Sequence, residues 1–409
     1  MLPVLAQGLR GHEWPGGKRP LCIGRGSGRA RVGSAASPPH CHRWQRGGRL
    51  QVAGRDYLNF SANDYLGLAD HSTIKAAFKE GIDCYGTGSG ASPLVTGYSR
   101  AHQQLEETLA DWLGVEAVLL FNCGFSANQA VLKALLGKDH LLWQDRLNHA
   151  SLQEMGSQLP CKMKRFGHND MTALERQLEP NRGLIVSEGV FSMDGDQGPW
   201  PELARLAAQS GNWLMIDDAH GLGVLGPEGR GTLAAQGVAP ASVHIQMGTF
   251  GKALGVAGAF VGGSRELVDY LVNFARHYVY STHMPTAQAC AVSKSIELVR
   301  AADESRAHLA RLITRFRQGT AALGWQLGAS DTPIQPLLVG ESSAALQLAA
   351  RLRDRGVWVS AIRPPTVPVG TARLRITLSA AHREQDVDRL LKALGPCSGS
   401  ASWEGIHHG

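Results

Sequence analysis

Three short segments place reactive side chains where an α/β enzyme would use them. The apolar run Trp213-Leu214-Met215-Ile216 leads into Asp217-Asp218-Ala219-His220, and ligands of open α/β sheets gather at the carboxyl ends of strands. Asp217 can meet a ligand there, although a lone Asp at such a turn also serves as a cap. Thr249-Phe250-Gly251-Lys252-Ala253-Leu254-Gly255 follows a later, weaker run, Val243-His244-Ile245. Lysines are normally solvated, but one set among Phe250, Leu254 and Val256 has a lowered pKa, which favours the neutral amine that forms imines. Asn122-Cys123-Gly124-Phe125-Ser126-Ala127-Asn128 joins the run Ala117–Phe121 to a helical stretch. Backbone N–H groups at a helix start can cradle an anion such as phosphate; an ordinary strand-to-helix turn has the same pattern.

In this order along one chain, an anion cradle, an acid at a strand end and a lysine at a later one are the parts of a pyridoxal-phosphate (PLP) site. The acid keeps the pyridine nitrogen protonated and the lysine forms the Schiff base. A nicotinamide-dinucleotide reading competes through Gly221-Leu222-Gly223-Val224-Leu225-Gly226. Pro227, Glu228 and Gly229 follow, which leaves no helix N-terminus for a pyrophosphate. The near match Gly86-Thr87-Gly88-Ser89-Gly90-Ala91 has no strand before it, so the NAD-binding oxidoreductase is set aside.

The elements that must position these residues follow from hydrophobic periodicity. Ser99 caps an expected helix with Leu105, Leu109, Trp112 and Leu113 at helical spacing, ending before Gly114. Short apolar runs at 117–121, 184–186, 213–216 and 258–261 alternate with helical stretches such as 201–210. Strands buried on both faces and separated by helices predict an α/β fold with a mostly parallel sheet flanked by helices. A helix-rich connector over 285–323 leads to a smaller C-terminal α/β unit with a helix at 343–355, strands at 357–362 and 372–378, and a helix at 381–394. In its last strand Ala372, Leu374, Ile376 and Leu378 alternate with Arg373, Arg375, Thr377 and Ser379, giving one apolar and one polar face. The expected division is a leader over 1–49, a large PLP-binding domain over 50–288, a small C-terminal domain over 289–395 and a tail over 396–409.

With 409 residues, 43% of them hydrophobic, the chain can bury a large core. No apolar run approaches the ~20 residues of a membrane span. Seven scattered cysteines read as reduced thiols of a cytoplasmic protein. Of the net charge of +6, residues 1–50 supply +8, from nine Lys/Arg and one acid, and the rest sums to −2. That charge lies in a Gly/Pro/Ser-rich leader expected to be disordered and not on a folded face, so neither nucleic acid nor membrane is expected as a partner.

Long segments carry a resemblance to a known family: LNFSANDYLGL (58–68), GTGSGASPLVTGYSRAH (86–102), FNCGFSANQA (121–130), DRLNHASL (145–152) and SEGVFSMDGD (187–196). They continue with IDDAHGLGVLG (216–226), TFGKALG (249–255), YSTHMP (280–285) and IRPPTVPVGTARLRITLSAAH (362–382). Over about 50–395 the chain resembles the α-oxoamine synthases, PLP-dependent transferases of fold type I. The resemblance implies that Gly124 and Phe125 offer amides to the cofactor phosphate, with Thr249 also on the phosphate. It implies that His149 stacks on the ring, Asp217 pairs with the ring nitrogen, Ser192 and His220 lie near the phenolic oxygen, and Lys252 forms the imine and acts as the base. Asn63, His149, Thr366 and Arg375 would contact substrate, with Arg375 suited to clamp a carboxylate, and no metal is expected. Thr282 would reach the phosphate site of a neighbouring subunit, which implies a homodimer with shared sites.

The implied reaction is the decarboxylative condensation of an amino acid with an acyl thioester. The segment 362–382 favours L-alanine with pimeloyl-CoA or a pimeloyl-acyl-carrier protein, in biotin biosynthesis. Glycine with acetyl- or succinyl-CoA, and a PLP-binding protein with impaired turnover, are the alternatives. One departure concerns the start: the family places an arginine-bearing helix before LNFS, whereas residues 1–46 show no such periodicity and Ser37 falls near that arginine's place. The leader is therefore expected to be a frame-shifted or misassigned start.

Overall fold

The computed structural model describes residues 41–397; the expectations for the leader up to residue 40 and for the tail from residue 398 lie outside them. Strand pairing begins within the segment assigned to the leader. β1 (His42–Arg46), β2 (Arg49–Val52) and β3 (Arg55–Asn59) form an antiparallel ribbon. The described residues from His42 to Cys397 pack as one compact unit.

Seven strands follow: β4 (Ala117–Phe121), β5 (Leu141–Asp145), β6 (Lys162–Phe166), β7 (Gly183–Glu188), β8 (Trp213–Asp217), β9 (Ile245–Thr249) and β10 (Ala259–Gly263). They assemble in the order β4-β10-β9-β8-β7-β5-β6. β10 runs against β4 and β9, and the remaining pairs are parallel. The period-2 alternation of strands sends side chains to two cores. On β7, Leu184 and Val186 join the cluster around Val131 and Leu132, whereas Ile185 joins the one around Trp143 and Leu203. Met215 and its neighbours Leu214 and Ile216 split the same way on β8. Both faces are covered by helices, as expected of an α/β protein.

The expected helices form. Arg100–Leu113 starts after Ser99 and stops at Gly114, whose φ of 69° is left-handed. Trp200–Ser210 links β7 to β8, and Thr286–Arg300 and Asp303–Ala322 make up the connector. β5, β6 and the later β11 (Ile334–Gly340) were not anticipated. β6 reads KMKRF with exposed charges because it is an edge strand. β11, also an edge strand, carries Pro336. The strand expected at 357–362 divides between two sheets: β12 (Val357–Trp358) adds to β3, and β13 (Ser360–Ile362) pairs with β14 (Ala372–Thr377). Helices Ser342–Asp354 and Glu384–Leu394 complete this region.

The direction of the parallel strands decides where chemistry can gather. β4, β5, β7, β8 and β9 all end on the same side, bringing Gly124, His149, Glu188, Asp217 and Thr249 to one edge of the sheet.

Candidate active site

At that edge lies a cavity of about 190 Å³ lined by Gly124, Phe125, Asn128, His149, Glu188 and Asp217, together with Ala219, His220, Met247, Thr249 and Lys252. Seven residues singled out from the sequence therefore share one cavity. Asp217 is 5% exposed. Its Oδ2 accepts from Asn128 Nδ2 at 2.8 Å and its Oδ1 from the Ala219 N–H at 3.2 Å. Asn128 Nδ2 also donates to Ser151 Oγ at 2.9 Å, and Ser151 Oγ lies 2.8 Å from His149 Nδ1. One buried chain of hydrogen bonds thus fixes the acid and the imidazole together. His149 caps the helix Ala150–Gln158, and burial lowers its pKa despite the nearby Asp217.

Lys252 follows β9 in a turn stabilised by Thr249, whose Oγ1 donates to the Gly258 carbonyl at 2.8 Å. Burial pushes the Lys252 ammonium down to about 8, against the pull of Asp217 and Glu188. Its Nζ lies 2.9 Å from His220 Nε2, and His220 Nδ1 lies 2.6 Å from the Tyr65 hydroxyl. Burial holds His220 well below the usual histidine range, with Lys252 and Arg375 acting in the same direction. Glu188 is driven well above the carboxylate range by burial and by Asp217, and its Oε1 has no partner.

Gly124 and Phe125 open the helix Gly124–Leu135. The first N–H groups of a helix have no acceptor within it and carry the positive end of its dipole, so this turn presents donors to an anion.

The polar face of β14 is buried, not solvated. Arg373 and Arg375 are each 7% exposed. Arg375 Nε donates to the Ser192 carbonyl at 2.6 Å and Nη1 to Asn63 Oδ1 at 3.1 Å, while Arg373 pairs with Asp194. Ser192 and Asn63 thus meet at Arg375, beside the cavity lining and not within it. Two expected residues, Thr282 and Thr366, are not among the cavity lining. Thr282 is exposed, its carbonyl accepting from Asn122 Nδ2 at 2.8 Å. Thr366 is exposed in the turn after β13 and donates its N–H to the Arg363 carbonyl at 3.0 Å.

Asn128, Tyr65 and Glu188 were not identified as site residues from the sequence. All three lie inside quoted motifs, and Asn128 falls one helical turn after Gly124. Glu188 ends a buried strand, where a carboxylate is costly without a reason. The rejected glycine pattern also finds its reason: a Cβ at Gly221 would overlap the Asp218 carboxylate and the Thr232 hydroxyl. Asp218 itself accepts from the Thr232 N–H at 2.7 Å and from its hydroxyl at 2.6 Å. A short turn, Pro227–Gly229, takes the place of the helix a dinucleotide site needs.

These groups fit PLP: a buried amine with a lowered pKa, a buried carboxylate held on Asn128, and free amides at a helix start. Fold and site define the class, a PLP-dependent transferase of fold type I. The chain belongs to the aminotransferase class I and II family, whose model matches residues 55–394, and within it to the 8-amino-7-oxononanoate synthases. It is 90% identical over 361 residues to the 8-amino-7-oxononanoate synthase of Aeromonas hydrophila subsp. hydrophila, covering 88% of this chain and 91% of that relative. Against the enzyme of the same name from Cronobacter sakazakii it is 53% identical over 351 residues, 85% of this chain and 91% of the other. Among solved structures, Sphingomonas wittichii serine palmitoyltransferase aligns with a TM-score of 0.83 at 29% identity, over 85% of this chain and 89% of that one. The 8-amino-7-oxononanoate synthase of Francisella tularensis aligns with a TM-score of 0.74 at 27% identity, over 83% and 96%. A serine palmitoyltransferase structure described as a PLP internal aldimine aligns at 0.83 and 28% identity, over 86% and 89%.

Proposed function

We propose that the chain condenses L-alanine with a pimeloyl thioester to give 8-amino-7-oxononanoate, CO2 and the free thiol carrier, in biotin biosynthesis. The observation that carries this reading is the 90% identity to a curated 8-amino-7-oxononanoate synthase across 91% of that enzyme's length. PLP, when bound, supplies an electron sink for the charge left on the amino acid's α-carbon.

The residues act around that sink. Lys252 Nζ, with a pKa near 8, would hold the cofactor and is the amine placed to accept the α-proton of alanine. Asp217, fixed by Asn128, would hold a proton on the ring nitrogen, and His149 would lie against the ring. The amides of Gly124 and Phe125, with Thr249, would hold the phosphate, and His220 and Ser192 would serve the phenolic oxygen. Arg375, oriented by Asn63 and Ser192, clamps the alanine carboxylate that later leaves as CO2, with Thr366 on the same substrate. In this reading residues 50–288 form the cofactor domain and 289–395 the domain that delivers the clamp.

The reading extends to a cytoplasmic homodimer in which Thr282 serves the partner's phosphate site. Support comes from exposed Leu94, Val95, Tyr98 and Tyr280, on segments joined where the His283 N–H donates to the Ala91 carbonyl, since exposed apolar surface of this kind marks an interface. The test pairs alanine or glycine with pimeloyl, acetyl and succinyl thioesters on coenzyme A and on a carrier protein. Alanine with a pimeloyl thioester should release CO2 fastest; preference for glycine with a shorter acyl group would overturn the assignment.

A further inference from the structure

We infer that His102 and Ser89 are positioning residues that hold the backbone of 282–284 and so present Thr282 to a second copy of the chain. The inference rests on the shared-site reading proposed above, in which Thr282 serves the partner's phosphate site.

Residues 282–285 belong to no helix or strand, so their carbonyls join no regular ladder and need other donors. Three successive carbonyls each meet a side chain from a distant segment. Asn122 Nδ2 donates to that of Thr282 at 2.8 Å, Ser89 Oγ to that of His283 at 2.7 Å, and His102 Nε2 to that of Met284 at 3.0 Å. The His283 N–H adds a fourth tie, to the Ala91 carbonyl at 2.9 Å. His283 and Met284 are 6% and 1% exposed, whereas Thr282 just before them is exposed. The two buried residues anchor the segment, and the exposed one faces outward.

His102 is fully buried, and fixed groups place its proton. Nδ1 accepts from the Ser99 N–H at 3.1 Å and lies 2.9 Å from the Ser99 hydroxyl. A backbone N–H can only donate, so Nδ1 is bare. Nε2 then carries the proton toward the Met284 carbonyl, which can only accept. Burial lowers the pKa of His102 although the Met284 carbonyl raises it, in keeping with a neutral ring. One imidazole thus caps the start of the helix Arg100–Leu113 and clamps Met284.

The test is the affinity of the full chain for PLP, read by titration, with sedimentation of each variant. Thr282→Val should weaken binding roughly tenfold, the loss of one hydrogen bond to a phosphate. His102→Asn keeps an acceptor for the Ser99 N–H but is too short to reach Met284. It and Ser89→Ala should each weaken PLP by roughly three- to tenfold. His102→Gln, which keeps a donor at the reach of Nε2, should restore most of that affinity. In a Thr282→Val background neither His102→Asn nor Ser89→Ala should weaken PLP further, because a residue that acts through Thr282 has nothing left to position. Losses that persist in that background are the mark of a merely structural role and would overturn the inference. So would wild-type affinity in both single variants, or a single variant that no longer dimerises, since its residue then acts on the interface and not on Thr282. If His102→Asn does not fold, Ser89→Ala decides. Wild-type affinity in Thr282→Val is a separate failure: it removes the shared-site reading, and this inference with it, and leaves the condensation assay untouched.

Discussion

A lysine amine in water titrates near 10.4, and burial brings that of Lys252 down to about 8. At the residue scale this is the step from an ordinary side chain to a nucleophile and base usable near neutral pH. Cofactor-free protein should therefore label at Lys252 with a midpoint close to pH 8; a midpoint above 10 would mean that the amine is solvated. Lys252→Ala should lower turnover by roughly a thousandfold or more and abolish fixation of the cofactor by borohydride. The sequence signalled this lysine through its apolar neighbours Phe250 and Leu254, both fully buried. It gave no comparable signal for Tyr65 or Asn128, whose partners His220 and Asp217 lie 155 and 89 residues away.

At the scale of elements, the site depends on loops held in register at the ends of strands. His168, after β6, contacts Asp145 Oδ1 at 3.1 Å and Asp196 Oδ2 at 2.7 Å. It thereby ties the segment leading to His149 to the loop that carries Ser192. Burial alone would lower its pKa, but the two carboxylates raise it to about 10. The folded value lies above the unfolded ~6.5, so the stabilisation is complete below about pH 6.5 and is lost as the pH rises through 10. His168→Gln should cost on the order of 2 kcal/mol at pH 6, allowing for partial solvent access, with the gap narrowing toward pH 10. Urea unfolding at both pH values checks this, and a gap independent of pH would show that the imidazolium is not the stabilising form. The hydrophobic runs located the central strands but not β5, because LLWQD ends in Gln144 and Asp145, polar groups buried against the Leu152 carbonyl, His168 and the Asn169 N–H.

At the scale of the molecule, the exposed apolar surface formed by Leu94, Val95, Tyr98 and Tyr280 is the place where the proposed homodimer should close. Sedimentation should give twice the 43.8 kDa chain mass. Val95→Asp, at a position 73% exposed, should release monomers while leaving the fold intact by circular dichroism. A wild-type monomer with full activity would refute the shared site.

The sequence by itself determined the fold class and the order of the chemical parts. Two-sided hydrophobic strands can be buried only under helices on both faces, and Gly124, Asp217 and Lys252 follow strand ends in turn. Its motifs also pointed to the family that the comparisons bear out. Tertiary structure decided what each part meets: Asn128 on Asp217, Tyr65 behind His220, and a buried Arg375 on Asn63 and Ser192 where the alternating pattern showed only a polar face. The physical reason is that periodicity reports which side of an element is buried, whereas hydrogen-bond partners and pKa depend on groups brought together from distant segments by the packing of the sheet.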